Sequence, residues 1–154
     1  MSHQIEGDWL ARGAQIAIVV SRFNDFMTRQ LVDGAVDTYT RLDGNPDALT
    51  IVYVPGAFEL PITALKLAQT RKYAAVICLG CVIRGATDHY DFVAGEAARG
   101  IAQVGLQTGV PTIFGVITAE NMEQAIERCG SKQGNHGSKA MFAALEMANV
   151  WKKL

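Results

Sequence analysis

Clusters of positive charge are missing from this chain. Lys and Arg total 14 against 15 Asp and Glu in 154 residues, and no run concentrates them. Nucleic acid and anionic membrane surfaces both attract clustered cations, so neither is expected as a partner. Long apolar runs are missing too. The longest, Tyr73 to Ile83, falls well short of the ~20 residues that a membrane-spanning helix requires. "MSHQIEGDWL" at the start lacks the basic-then-apolar order of a secretory signal, and a cytoplasmic location is expected. Repeats, linkers and low-complexity tracts are also absent. Residues 1–154 therefore read as one domain with enough length for a core.

Cysteine is scarce: Cys78, Cys81 and Cys129. "CLGC" has the spacing of a redox or zinc motif, but it lies inside a run that reads as a buried strand. Residues three apart on a strand face opposite sides, about 10 Å from each other, which is beyond disulfide reach. A zinc site would need two more ligands nearby. These cysteines are expected to be small buried residues.

What the chain does have is alternation. "QIAIVV" (Gln15 to Val20) is a β-branched strand signal, and Met27, Leu31, Ala35, Tyr39 and Leu42 follow at helical spacing. "GNPD" marks a turn before a second strand, Leu49 to Val54, and "PGAFELP" leads into a helix through Ala68. Ala74 to Ile83 is apolar on both faces, as an interior parallel strand must be. A long helix is expected from about His89 to Gln107, a fourth strand from Thr112 to Thr118 and a short helix from Glu120 to Cys129. "GSKQGNHG" reads as a loop, with Ser138 capping a last helix whose apolar face is Met141, Ala144, Leu145, Ala148 and Trp151. The predicted fold is α/β: a four-stranded parallel sheet flanked by helices on both faces. Residues 1–14 have no partner in that scheme. They read as a tail, or as a strand that pairs with a neighbouring subunit. Mean hydropathy of +0.14 is high for so small a monomer and points to surface buried between subunits.

Ligands of such sheets collect beyond the carboxyl ends of the strands. "SRFND" puts Phe23 there, "PGAFE" puts Phe58 and Glu59 there, and "FGVIT" is read as bringing Phe114 to the same edge. Singly, each reads as structural: Phe23 and Phe58 as packing residues, Phe114 as an ordinary strand residue, Glu59 as a helix-dipole partner. Together they favour a site that stacks a flat ring. "RGATDH" is sharper. Gly85 lets backbone approach a ligand, and Ala86 and Thr87 lead into a helix start, where N–H groups and a hydroxyl suit phosphate. The structural alternative is a glycine turn with Thr87 as N-cap. His89 beside such a pocket is placed to move a proton near neutral pH. Arg128, at a helix end, either serves the dipole or captures phosphate with its guanidinium.

Taken in order, "SRFND", "VPGAFELP", "GCVIRGATDHYDFV", "GVPTIFGVIT" and "EQAIERCGSKQGNHG" resemble the lumazine synthase (6,7-dimethyl-8-ribityllumazine synthase) family over nearly the whole chain. The resemblance implies a flavodoxin-like fold, with sites between adjacent subunits of a pentamer. It implies condensation of 5-amino-6-(D-ribitylamino)uracil with 3,4-dihydroxy-2-butanone 4-phosphate, with no cofactor and no metal. Phe23 would stack on the pyrimidine, while Ala57, Phe58 and Glu59 would hold the ribitylaminouracil. Cys81, Val82 and Ile83 would meet the pyrimidine edge, largely through backbone. Ala86 and Thr87 would bind phosphate with Arg128 of the neighbour, which would also supply Phe114. His89 would transfer protons. Two positions depart from the family: His136 stands where lysine is usual, and Cys81 where threonine is commoner. The compact "GSKQGNHG" favours a sixty-subunit shell built of pentamers, one that could enclose riboflavin synthase. Two other readings stand beside the enzyme. A non-catalytic flavin- or lumazine-binding module would keep Phe23 and Phe58 but have no need of His89 with Arg128. A shell-forming assembly protein would have no use for "RGAT".

Overall fold

The computed structural model describes residues 1–154. Each β-branched run forms a strand, and each stretch of helical period forms the helix after it. β1 (Ile16–Ser21), β2 (Thr50–Val54), β3 (Ala75–Ile83) and β4 (Thr112–Ala119) make one sheet in the order β2-β1-β3-β4. All its pairings are parallel, as expected where helices connect successive strands. The connections are α1 (Asp25–Arg41), α2 (Leu60–Gln69) and α3 (His89–Thr108). After β4 come α4 (Met122–Glu127), a small hairpin of β5 (Cys129–Ser131) and β6 (Gly134–Asn135), and α5 (His136–Trp151).

Strand alternation divides the core in two. Ile16, Ile18, Val20, Ile77, Leu79 and Cys81 point to one face, where they pack with Leu31, Tyr39, Met141 and Leu145 of α1 and α5. Ala17, Val19, Val76 and Cys78 point to the other, against Leu60, Ala64, Ile101 and Val104 of α2 and α3. The sheet is thus covered on both sides, which explains why β3 is apolar throughout. Cys78 and Cys81 lie on opposite faces, as their spacing predicts. All three cysteines are free and buried. Burial pushes the thiols of Cys78 and Cys81 up to about 12 and that of Cys129 to about 11, so none is a ready nucleophile.

α1 and α5 approach closely because Gly137 sits at their crossing. A Cβ there would lie 1.9 Å from the backbone oxygen of Leu31. The segment before β1 forms no strand within the chain. It lies on α5 instead: buried Asn149 donates to the carbonyls of Asp8 (2.9 Å) and Leu10 (3.0 Å), and Trp9 meets Phe142 edge-on at 5.2 Å. Arg12, bound to the Asp8 carboxylate, holds that carboxyl down at about 2.

Two expectations near the carboxyl terminus need correction. "GSKQGNHG" is not an open loop, since it carries the β5–β6 hairpin. Ser138 does not cap α5. The cap is Asn135, whose Oδ1 accepts the Ser138 N–H at 3.0 Å, leaving the Ser138 hydroxyl paired with Thr38 of α1. Asparagine three residues earlier provides the same acceptor that serine would have supplied.

Candidate functional site

Strand order reverses between β1 and β3, and a cleft opens at their carboxyl ends, where parallel α/β sheets usually bind ligands. It encloses about 580 Å³, enough for a molecule of fused-ring size. Each wall follows from a strand end. β1 runs into Arg22 and Phe23, whose N–H groups still donate to Val54 O at 2.8 Å and Pro55 O at 3.0 Å, while the Phe23 ring lines the cleft. Phe23 is 72% exposed and Phe58 58%, so neither serves as a core residue.

Asn24 follows Phe23 in the left-handed region, at φ 62°, a conformation asparagine tolerates better than most residues. Its Nδ2 donates to the carbonyl of Cys81 at 2.8 Å. One side chain thereby ties the start of α1 to the end of β3 and fixes that edge of the cleft. Within "SRFND" the sequence alone assigns Asn24 no part. Its signal was an asparagine, tolerant of positive φ, immediately before a helical period.

β2 runs into Pro55 and Gly56 and then a single 3-10 turn, Ala57–Glu59. Glu59 Oε1 accepts the N–H of Gly56 at 2.9 Å, which closes the turn on itself. That bond engages one carboxylate oxygen; the group retains capacity for further donors. Ala57 is buried and anchors the turn, and Phe58 projects from it.

β3 ends at Val82 and Ile83, and residues 84–89 are exposed. α3 begins at His89, with Asp88 at the cap position and no side-chain cap bond. Thr87 therefore does not occupy the cap position. Its Oγ1 accepts the His89 N–H at 3.3 Å, which sets a hydroxyl beside the start of a 20-residue helix. The free N–H groups and positive dipole end of α3 suit an anion there. Gly85 has open space where a Cβ would stand, and its φ is not positive. The fold itself makes no demand for glycine at that position.

Phe23, Ala57, Phe58, Glu59, Cys81, Val82, Ile83, Thr87 and His89 share one cleft; Ala86 lies in the turn between the lining residues Gly85 and Thr87. Pro55, Tyr90 and Val93 also line it and were not foreseen. The Cys81 side chain is buried against the α1–α5 face, so it offers the cleft its backbone. Phe114 and Arg128 are not brought there. Phe114 pairs with Cys78 near the amino end of β4, whereas Thr118 and Ala119 stand beside Val82 and Ile83 at the carboxyl edge. The expectation that β4 ends in this ring is therefore wrong: the register places Phe114 toward the opposite edge, half exposed. Arg128 closes α4, its Nη1 donating to Gln124 O at 2.8 Å. Its carbonyl accepts the N–H of His136 at 2.9 Å, so Arg128 and His136 stand together at the base of the hairpin.

These features define a flavodoxin-like α/β protein with a ring-sized cleft at the switch point and an anion-suited helix start in its wall. The 6,7-dimethyl-8-ribityllumazine synthase family matches residues 13–152, nearly the entire chain, and the chain belongs to that family. It is accordingly a lumazine synthase-type transferase of riboflavin biosynthesis. None of its helices is long and apolar enough to cross a membrane.

Proposed function

We propose that this protein condenses 5-amino-6-(D-ribitylamino)uracil with 3,4-dihydroxy-2-butanone 4-phosphate, yielding 6,7-dimethyl-8-ribityllumazine, phosphate and water. The observation that carries this reading is the single cleft in which exposed Phe23 and Phe58 face an α-helix start bearing Thr87 and His89. Phe23 stacks on the pyrimidine, and Phe58 with Ala57 shapes the opposite wall. Glu59 accepts from ribityl hydroxyls with the capacity left by its bond to Gly56. Backbone groups of Cys81, Val82 and Ile83 read the pyrimidine edge. Phosphate sits at Ala86 and Thr87, against the α3 N-terminus.

The chemistry asks little of side-chain nucleophiles. The amine of one substrate adds to the ketone of the other and water leaves, giving an imine. Loss of phosphate, tautomerisation, attack by the second nitrogen and a further dehydration complete the ring. Each step moves protons, and His89 is the group placed to carry them. Holding two substrates in register supplies the larger part of the acceleration.

Phe114 and Arg128 enter this scheme from a neighbouring subunit. Neither lines the chain's own cleft, which supports that assignment. The working form is then a homo-oligomer built of pentamers and closed into a sixty-subunit cytoplasmic shell with room for riboflavin synthase, with residues 1–154 acting as one domain. The test is turnover with both substrates, followed by phosphate release and product fluorescence. Rates above the uncatalysed reaction that collapse in Arg128→Ala and drop in His89→Ala support the reading. Tight binding of the product without turnover would replace it with a non-catalytic lumazine-binding module.

A further inference from the structure

The turn from Gly85 to Asp88 is exposed, and within it the Thr87–His89 contact is a weak tie. Something else must hold it in one shape if it is to receive a phosphate. Arg84 immediately precedes it and is tied to the elements on either side. Its backbone N–H closes the β3–β4 pairing on Ala119 O at 2.8 Å. Its side chain then spans two elements: Nε meets Glu120 Oε2 at 2.9 Å beyond β4, and Nη2 meets Asp91 Oδ1 at 3.5 Å in the first turn of α3. The guanidinium carbon also lies 4.3 Å from the centroid of the Tyr90 ring. Tyr90 lines the cleft and packs on the α2–α3 core, whereas Arg84 lines no part of the cleft.

We propose that Arg84 is a positioning residue that fixes the Gly85–Thr87 turn and the Tyr90 ring for the substrate's phosphate without touching it. The inference rests on the reading under Proposed function. Exposed ion pairs contribute little to stability, so global stabilisation does not account for this arrangement. A planar guanidinium can face two carboxylates and a ring at once, whereas an ammonium is a point charge that cannot. The alternative is that Arg84 simply adds positive potential near the anion.

Glu120 separates the two. The assembled wild-type protein is compared with Arg84→Ala, Arg84→Lys and Glu120→Ala in steady-state kinetics and in competition by inorganic phosphate. Far-UV circular dichroism and particle mass confirm that each variant is folded and assembled. Arg84→Ala should raise the KM for the phosphate substrate and the Ki for inorganic phosphate on the order of tenfold, with the KM for the pyrimidine within about twofold. Arg84→Lys, which keeps the charge, should recover only part of the loss. Glu120→Ala should weaken phosphate several-fold even though it removes a negative charge from the neighbourhood. Unchanged or tighter phosphate in Glu120→Ala would overturn the proposal, as would wild-type phosphate constants in Arg84→Ala. If Arg84→Ala does not fold, Arg84→Lys and Glu120→Ala decide alone. A wild-type protein that neither turns over nor binds phosphate would remove the underlying reading and this inference with it.

Discussion

Gly85 and His136 are single residues whose chemistry can be tested apart from the fold. Gly85 has room for a Cβ and no positive φ, so Gly85→Ala should leave stability unchanged or raise it by up to about 1 kcal/mol through the unfolded state. In the proposed complex the added methyl stands where phosphate approaches backbone, so the KM for the phosphate substrate should rise severalfold while the melting temperature holds. A parallel loss of both would place the glycine in the fold instead. His136 is held below its ordinary 6.5, first by burial and then by the charges of Lys139 and Arg128. Its neutral form is therefore favoured in the fold. That contribution is present above the unfolded pKa and is lost as pH falls through the lowered folded value. Any help His136 gives to an anion has the opposite slope, since it needs the charged form and fades as pH rises through a region below 6.5. His136→Lys should carry activity further into neutral and alkaline pH. An unchanged profile for kcat/KM would show that this position does not act on the substrate.

At the scale of elements, Gly137 is the glycine where an added Cβ would come nearest another atom, 1.9 Å from Leu31 O. Gly137→Ala drives a methyl against backbone of α1, which cannot rotate away as a side chain can. A loss of about 1–3 kcal/mol or more is expected, read as a fall in melting temperature with the cleft residues untouched. What the sequence made legible also divides by element. The four strands lie within a residue of their expected bounds, because β-branched runs between turn signals admit few alternatives. The β5–β6 hairpin escaped notice: strands of three and two residues are too short to show a period, and Ser138 was a competing cap three residues beyond Asn135. Phe114 was misplaced for a different reason. The β3–β4 register decides which end of β4 meets the cleft, and register is a long-range pairing that no local pattern in "TIFGVIT" records. Asn24, Arg84 and Tyr90 stood inside quoted motifs, yet their roles depend on partners up to 57 positions away in the chain.

For the molecule as a whole, the proposed oligomer has apolar surface available to cover. Ile62, Phe92 and Leu106 are each at least 70% exposed, area that self-association would bury. The proposed site also divides between copies, with His89 from one subunit and Arg128 from its neighbour. That division predicts a result that neither a monomer nor a self-contained site can give. His89→Ala and Arg128→Ala subunits, each weakly active alone, are coexpressed so that they mix at random within each ring. A site is intact when its cleft comes from an Arg128→Ala chain, which retains His89, and its arginine from an adjacent His89→Ala chain, which retains Arg128. Each condition holds for half of the positions, so about a quarter of the sites regain both residues in a cyclic assembly of equal parts. Specific activity should rise toward about a quarter of wild type, well above either variant. The same two purified variants, combined after assembly without subunit exchange, should show only the average of their separate activities. Recovery that is absent in the coexpressed sample would place Arg128 in its own chain's site, and would require α4 and the hairpin to move across the sheet to reach the start of α3.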